Sequence, residues 1–195
     1  MGSIPSPGTS INYGRHLNFC SNCGSPVVLK VPEGDHLPRF VCTNCGKVHY
    51  QNPLLVLGCV PEWEGRILLC RRAIEPRLGY WTVPAGFMEN GESLQAAAAR
   101  ECYEEARATV EVGSLLAVVS VIHANQVHVM FRARLIEPRY AAGPESQEVG
   151  LYAEAEIPWG DLAFPSGEFT LRRYFQDRTA GREDHHVTEL NRSLK

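Results

Sequence analysis

The chain has 195 residues, 44% of them hydrophobic, with a formal net charge of -3. That length allows one ordinary domain plus a small module, and the apolar share excludes wholesale disorder. The charge gives no electrostatic footprint for nucleic acid or an anionic membrane. No apolar run reaches membrane-spanning length and no signal-peptide core is present, so the expectation is a cytoplasmic protein without a membrane partner.

Residues 1–15 are rich in Pro, Gly and Ser and are expected to be unordered. "MGSIPS" fits the short myristoylation pattern through Gly2 and Ser6, but Pro5 interrupts it and the match is read as fortuitous. Residues 16–50 hold "NFCSNCGSPVVLKVPEGDHLPRFVCTNCGKVHY", in which two C-x2-C pairs are separated by eighteen residues and flank two short strands. A two-residue spacing turns both sulfurs towards one point, and Gly24 and Gly46 follow each pair where the turn needs backbone freedom. Cys20, Cys23, Cys42 and Cys45 are therefore read as a closed, structural Zn2+ site in a reducing compartment, rather than as redox pairs. So short a segment relies on the metal for its folding energy. His49 is read as an ordinary strand histidine. Lys30, Arg39 and Lys47 are the only basic residues between the first and last cysteine turns and the strand that follows, so docking or dimerisation is favoured over nucleic-acid binding.

Residues 51–178 form the larger unit. "LLVLGCVPEWEGRILLCRRA" predicts a hairpin about Glu64-Gly65, and "YWTVPAG" a short extended segment. Good helix formers run from Ser93 to about Ala106, with Leu94, Ala98 and Cys102 on one apolar line. "ATVEVGSLLAVVSVI" and "QVHVMFRARLI" predict strands, and "GPESQEVGLYAEAEIPW" a loop and an extended segment. "PSGEFTLRRYFQDR" predicts a closing helix with Ser166 as its N-cap. Residues 179–195 are polar and predict a loose tail.

Glu101, Glu104 and Glu105 follow helical i, i+3, i+4 spacing beside Arg100. Like charges so spaced destabilise an isolated helix by about 0.2–0.5 kcal/mol per pair, and by more when buried. A hard divalent cation, Mg2+ or Mn2+, converts that liability into a site. Gly86, five residues, Glu92, seven residues, Arg100-Glu101, Cys102, Tyr103 and Glu104-Glu105 together resemble the Nudix box; Arg107 stands where that pattern has glycine, and Ala108 fills its last apolar position. With the cysteine module and "HYQNP", the chain from about residue 17 to 178 resembles the zinc-ribbon branch of Nudix hydrolases that includes FAD and ADP-ribose pyrophosphatases.

The resemblance implies an α/β fold, a Nudix α/β/α sandwich with a mixed sheet, preceded by the four-cysteine ribbon. It implies metal-dependent hydrolysis of the pyrophosphate bond in a nucleoside diphosphate linked to another moiety, FAD or ADP-ribose foremost. By it, Glu101 and Glu105 bind the catalytic Mg2+, Glu104 is a further ligand or outer partner, and the Ala85 carbonyl is a ligand. Gly86, Glu92 and Arg100 tie loop to helix. A distal carboxylate completes the site, with Glu148 preferred to Glu145 for its place beside the following strand. Arg71, Arg72 and Arg77 are candidates for phosphate contact or for rim salt bridges, and His123, Gln126 and His128 for base or ribose. Tyr80, Trp81 and Trp159 are candidates for stacking or core packing. The alternatives are a nucleotide-sensing Nudix module and an NADH or nucleotide-cap pyrophosphatase. A homodimer is compatible with the family. The S-Q-P-W-P-F-P-x-S stretch of NADH-hydrolysing relatives is absent between Thr109 and Arg139.

Overall fold

The computed structural model describes residues 16–191. The expected disordered start and the Gly2 pattern lie outside them. The chain divides into two compact units, residues 1–53 and 54–195.

The first unit is a three-stranded antiparallel sheet, β1 (Val27–Lys30), β2 (Arg39–Cys42) and β3 (Val48–His49), in that spatial order. Its four cysteines bring their sulfurs within 4.8 Å of one another, with Cys20 Sγ 3.7 Å from Cys45 Sγ and Cys23 Sγ 3.5 Å from Cys42 Sγ. A tetrahedral Zn2+ with bonds of about 2.3 Å sets sulfurs about 3.8 Å apart, so these four thiols fit that ion. His49 is outside the cysteine group.

The second unit is built on an eight-stranded mixed sheet. Its main path runs β10 (Ser146–Tyr152), β5 (Arg66–Arg72), β4 (Leu54–Trp63), β9 (Gln126–Leu135), β8 (Val110–Val121), β11 (His186–Leu190). The expected hairpin about Glu64-Gly65 is present, but β4 and β5 pair only at its closed end, Glu62 with Ile67 and Trp63 with Arg66. Beyond that they part, and β6 (Trp81–Thr82) on β5 and β7 (Ala85–Phe87) on β4 fill the gap. The split matters because it brings the glycine of the "VPAG" turn beneath the glutamate helix.

Helix α1 (Leu94–Ala106) covers one face of the sheet, burying Ala97, Ala98, Cys102 and Ala106 against Leu57, Cys59, Leu68, Val129 and Phe131. Helix α2 (Pro165–Ala180) covers the other, with Leu171 and Phe175 against Val60, Ile67, Leu69 and Val119. This is the expected three-layer sandwich. Alternation along β4, Leu57 and Cys59 to α1 and Val60 to α2, is the period-two signature of a strand buried on both sides.

Ser93, where the expected run of helix formers begins, is the N-cap of α1, its Oγ accepting from the Ala96 N–H at 3.2 Å. Leu94 does not join the apolar line: it is 38% exposed, and the alanines do the packing. At the other end Arg107 adopts φ 50° and donates its N–H to the Tyr103 carbonyl at 2.9 Å. A left-handed C-cap favours glycine, because a Cβ there crowds the following carbonyl. Replacing Arg107 by glycine is expected to stabilise the protein by about 0.5–1 kcal/mol, net of the stacking of Arg107 over Tyr103, as read from the urea midpoint.

Two expectations are corrected. Ser166 is not the cap of α2. Phe164 is the N-cap, and Pro165 takes the first helical position, where its missing N–H costs nothing. The loose tail is also replaced. Helix α2 runs to Ala180, and residues 186–190 form β11, paired parallel to β8. Its anchor is polar: Asp177, 1% exposed, accepts from the Arg132 guanidinium, from the Asp184 N–H at 3.2 Å and from His186 Nε2 at 3.0 Å.

Candidate active site

The site forms where β7 passes under α1. Gly86 lies opposite Leu57 on β4, and a methyl group on it would overlap the Glu101 carboxylate. Glycine at this position leaves the space that the Glu101 carboxylate occupies, which any larger residue would force aside.

Arg100 organises the acids around it. Its Nε and Nη2 donate to the two oxygens of Glu92 at 3.0 and 2.8 Å, and Nη2 also donates to the Phe87 carbonyl at 3.0 Å. Its Nη1 donates to Glu101 Oε1 at 2.7 Å and Glu104 Oε2 at 3.0 Å. The bidentate fork ties the loop before α1 to the helix, as expected of a Glu92–Arg100 pair. With a further bond from the Glu89 N–H, it holds the Glu92 carboxyl down at about 2.

The three glutamates of the helix separate by environment. Glu101 and Glu105, one turn apart, are buried; Glu104 is exposed. Burial pushes the Glu101 carboxyl up despite Arg100. Burial, then the Glu101 charge, raises Glu105 to about 8, while Arg72 and the Ala85 N–H act in the opposite direction. Glu105 Oε2 is buried and has no hydrogen-bond partner. The expected single acidic face is thus a buried pair with Glu104 on its rim. Among the described residues, only the cysteines gather three or more candidate ligand atoms within 4.8 Å.

An orphaned buried carboxylate oxygen beside a second buried carboxylate is what a hard cation site leaves when no ion is counted. The donor set fits Mg2+ or Mn2+ in charge and chemistry.

The pH dependence follows from Glu105. The unfolded carboxyl releases its proton near its ordinary 4.5, the folded one only near 8, so the folded state binds more protons between these values. Stability from this group is fully present below the lower value and is lost as pH rises through the upper one. Melting temperature in Mg2+-free buffer is expected to fall between about pH 5 and about pH 8 and to level off above, with excess Mg2+ flattening the slope. A flat profile without Mg2+ contradicts the burial of this carboxylate.

The loop before β10 closes the C-terminal end of α1. Ala141 N–H donates to the Ala106 carbonyl at 2.8 Å and Gly143 N–H to the Glu105 carbonyl at 2.9 Å, satisfying helix-end acceptors. A side chain at Gly143 would run into the Glu104 carbonyl. The Glu145 carbonyl accepts from Ala73 N–H at 2.8 Å, and its carboxylate acts electrostatically on both Glu101 and Glu105. Glu148 instead lies opposite Arg71 on β5, with Arg71 Nη1 3.7 Å away. Of the two candidate distal carboxylates, Glu145 is the one whose charge acts on Glu101 and Glu105.

Arg71 is further occupied by the Gly79 carbonyl at 2.9 Å. Arg72 donates Nε to the Pro76 carbonyl at 2.8 Å, lies 5.1 Å from the centre of the Phe164 ring, and is the cation that Glu105 senses. Gln126 begins β9, its Oε1 3.0 Å from Nε2 of His128, whose burial lowers its pKa to about 4. His123 lies in the short turn before β9. Trp81 and Trp159 are packing residues, in edge contact with Tyr152 and Phe175. Arg77 stacks on Tyr80. Gly143, the Arg132–Asp177–His186 anchor and the role of Phe164 went unnoticed in the sequence; none has a spacing that marks it.

Comparison with known proteins agrees with this architecture. Residues 54–175 match the family model described as NUDIX domain, and residues 18–51 the one described as Nudix N-terminal, a zinc ribbon. The chain belongs to the Nudix family. It is 37% identical over 168 residues to the NAD-capped RNA hydrolase NudC of Edwardsiella ictaluri, covering 83% of this chain and 60% of that one. It is 29% identical over 119 residues to an ADP-ribose pyrophosphatase of Methanocaldococcus jannaschii, covering 59% and 69%. The crystal structure of a NUDIX hydrolase from Nitrosomonas europaea is 50% identical, with a TM-score of 0.88 over 90% of this chain and 100% of that one. The chain thus spans three fifths of the length of the NudC relative. Among the described residues no helix is long and apolar enough to cross a membrane.

Proposed function

We propose that the protein hydrolyses the phosphoanhydride bond of a nucleoside diphosphate linked to another group, with a divalent cation, Mg2+ or Mn2+, held by Glu101 and Glu105. The observation that carries this reading is the buried pair of carboxylates, one with an oxygen that no protein group satisfies. Such an ion neutralises diphosphate charge and acidifies a water. Glu104 completes the donor set from the rim, and the Ala85 carbonyl is the backbone candidate beside it. Arg100 orients Glu101 and Glu104 by its Nη1 bonds. Glu145 is our candidate for the general base, and Arg72 for a phosphate contact, since Arg71 is already engaged by Glu148 and Gly79. Zn2+ is the ion we assign to the cysteine ribbon.

For the substrate, the names of the relatives point to adenosine diphosphate joined to a ribose, the unit shared by ADP-ribose and NAD. ADP-ribose is our first choice, with FAD, which carries ADP on a ribitol, behind it. The likeness to the NudC relative favours a second reading, an NAD end on RNA, and so reopens nucleic acid as a partner despite the net charge of -3. Purified protein with Mg2+ and, separately, ADP-ribose, NAD, NADH, FAD and NAD-capped RNA should release AMP, or 5'-phosphorylated RNA, from its preferred substrate. Cleavage of none of them leaves the nucleotide-sensing module as the correct reading.

A further inference from the structure

The two cysteine turns repeat one another residue by residue, as Cys20-Ser21-Asn22-Cys23-Gly24 and Cys42-Thr43-Asn44-Cys45-Gly46. Their backbones repeat too. Cys20 N–H donates to the Ser25 carbonyl at 2.8 Å and Cys42 N–H to that of Lys47 at 2.9 Å. Asn22 N–H and Asn44 N–H each donate to the first sulfur of their own turn at 3.4 Å. Both glycines have φ 72°.

The side chains of the asparagines, in contrast, cross over. Asn22 Nδ2 lies 3.8 Å from Cys45 Sγ, and Asn44 Nδ2 lies 4.0 Å from Cys23 Sγ, both within the longer reach of an N–H to sulfur bond. The sulfurs they reach belong to the exposed cysteines of the four; Cys20 and Cys42 are buried. The amides therefore reach the two sulfurs that the fold leaves open to water.

We propose that Asn22 and Asn44 are reciprocal outer partners of the zinc site, each donating its side-chain amide to the solvent-facing thiolate of the opposite turn. A hydrogen bond to an anionic sulfur offsets its charge and shields it from protonation, the step that opens a metal–thiolate bond. Because the bonds cross, each turn also holds the other closed.

The competing role is local: asparagine is a good turn former within its own knuckle. Aspartate forms such turns equally well but offers no N–H, and alanine offers neither donor nor charge. Zinc release from the full chain to a chromogenic chelator is expected to accelerate about tenfold in Asn22→Ala and in Asn44→Ala, by at least as much in the aspartate variants, and about a hundredfold in the double alanine variant. Brief alkylation followed by mass mapping should show Cys45 as the newly reactive thiol in Asn22→Ala and Cys23 in Asn44→Ala. Release within twofold of the unsubstituted protein in both single alanine variants overturns the proposal. So does alkylation of the cysteine in the same turn as the substitution. Should the double variant fail to retain zinc on purification, the single variants, each keeping one of the crossed bonds, carry the measurement.

Discussion

Glu105→Gln is expected to lower turnover by about 10^3-fold or more while leaving the fold intact, because it removes a carboxylate that the protein keeps buried at a cost. The carboxyl is raised to about 8 by burial and by Glu101, so ionising it without a cation is unfavourable near neutral pH. Glutamine keeps the shape, loses the charge and escapes that penalty. The variant should therefore melt higher than the unsubstituted protein in Mg2+-free buffer near pH 8, and should lose the Mg2+-dependent rise in melting temperature. Steady-state hydrolysis of ADP-ribose and a melting series with and without Mg2+ test both halves. Activity near that of the parent protein removes Glu105 from the ligand set. Lost activity with a lowered melting temperature assigns it a structural role instead.

The second large effect lies away from the acids. Asp177→Ala is expected to destabilise the second unit by about 3–5 kcal/mol, since it leaves Arg132, only 9% exposed, as an uncompensated buried cation. Arg132 also donates to the Leu115 carbonyl and to the Asp184 carbonyl, both at 3.0 Å, so it cannot swing out without breaking the connection to β11. The paired replacement Arg132→Met with Asp177→Leu should recover most of the loss, because apolar residues of similar volume replace a buried ion pair with little net cost. Urea denaturation of the single and paired variants measures both steps, and amide exchange at Val187 and Leu190 reports whether β11 detaches first. A single variant within about 1 kcal/mol of the parent protein shows that the anchor is not a buried charge pair in solution.

How far the sequence could be read depended on the range of the interactions involved. The cysteine ribbon, the hairpin about Glu64-Gly65 and the extent of α1 rest on contacts between residues close in the chain or on a repeated spacing, so residue type and period identify them, and the resemblance to the Nudix box implied the Glu92–Arg100 tie. Three readings did not survive as made. Leu94 was placed in the core by its i, i+4 line with Ala98, yet its position in the first turn leaves it exposed. Ser166 has the right chemistry for a cap, but Pro165 takes the first helical position and puts the boundary one residue earlier. The tail looked loose because its residues are polar, and polarity says nothing of a partner more than forty residues upstream: Arg132 holds Asp177, and β8 pairs with β11.

By itself, then, the sequence determined the Nudix box, the paired cysteine turns and the run of strands and two helices, and the resemblance to the family implied their three-layer arrangement. Only the tertiary structure decided that Glu101 and Glu105 are buried and Glu104 is not, that the loop carrying Ala141 and Gly143 is strapped to the end of α1, and that the last strand belongs to the sheet. The reason is physical: spacing along a helix sets which side chains share a face, but burial, and with it the cost of charge, is set by what the rest of the chain packs against that face.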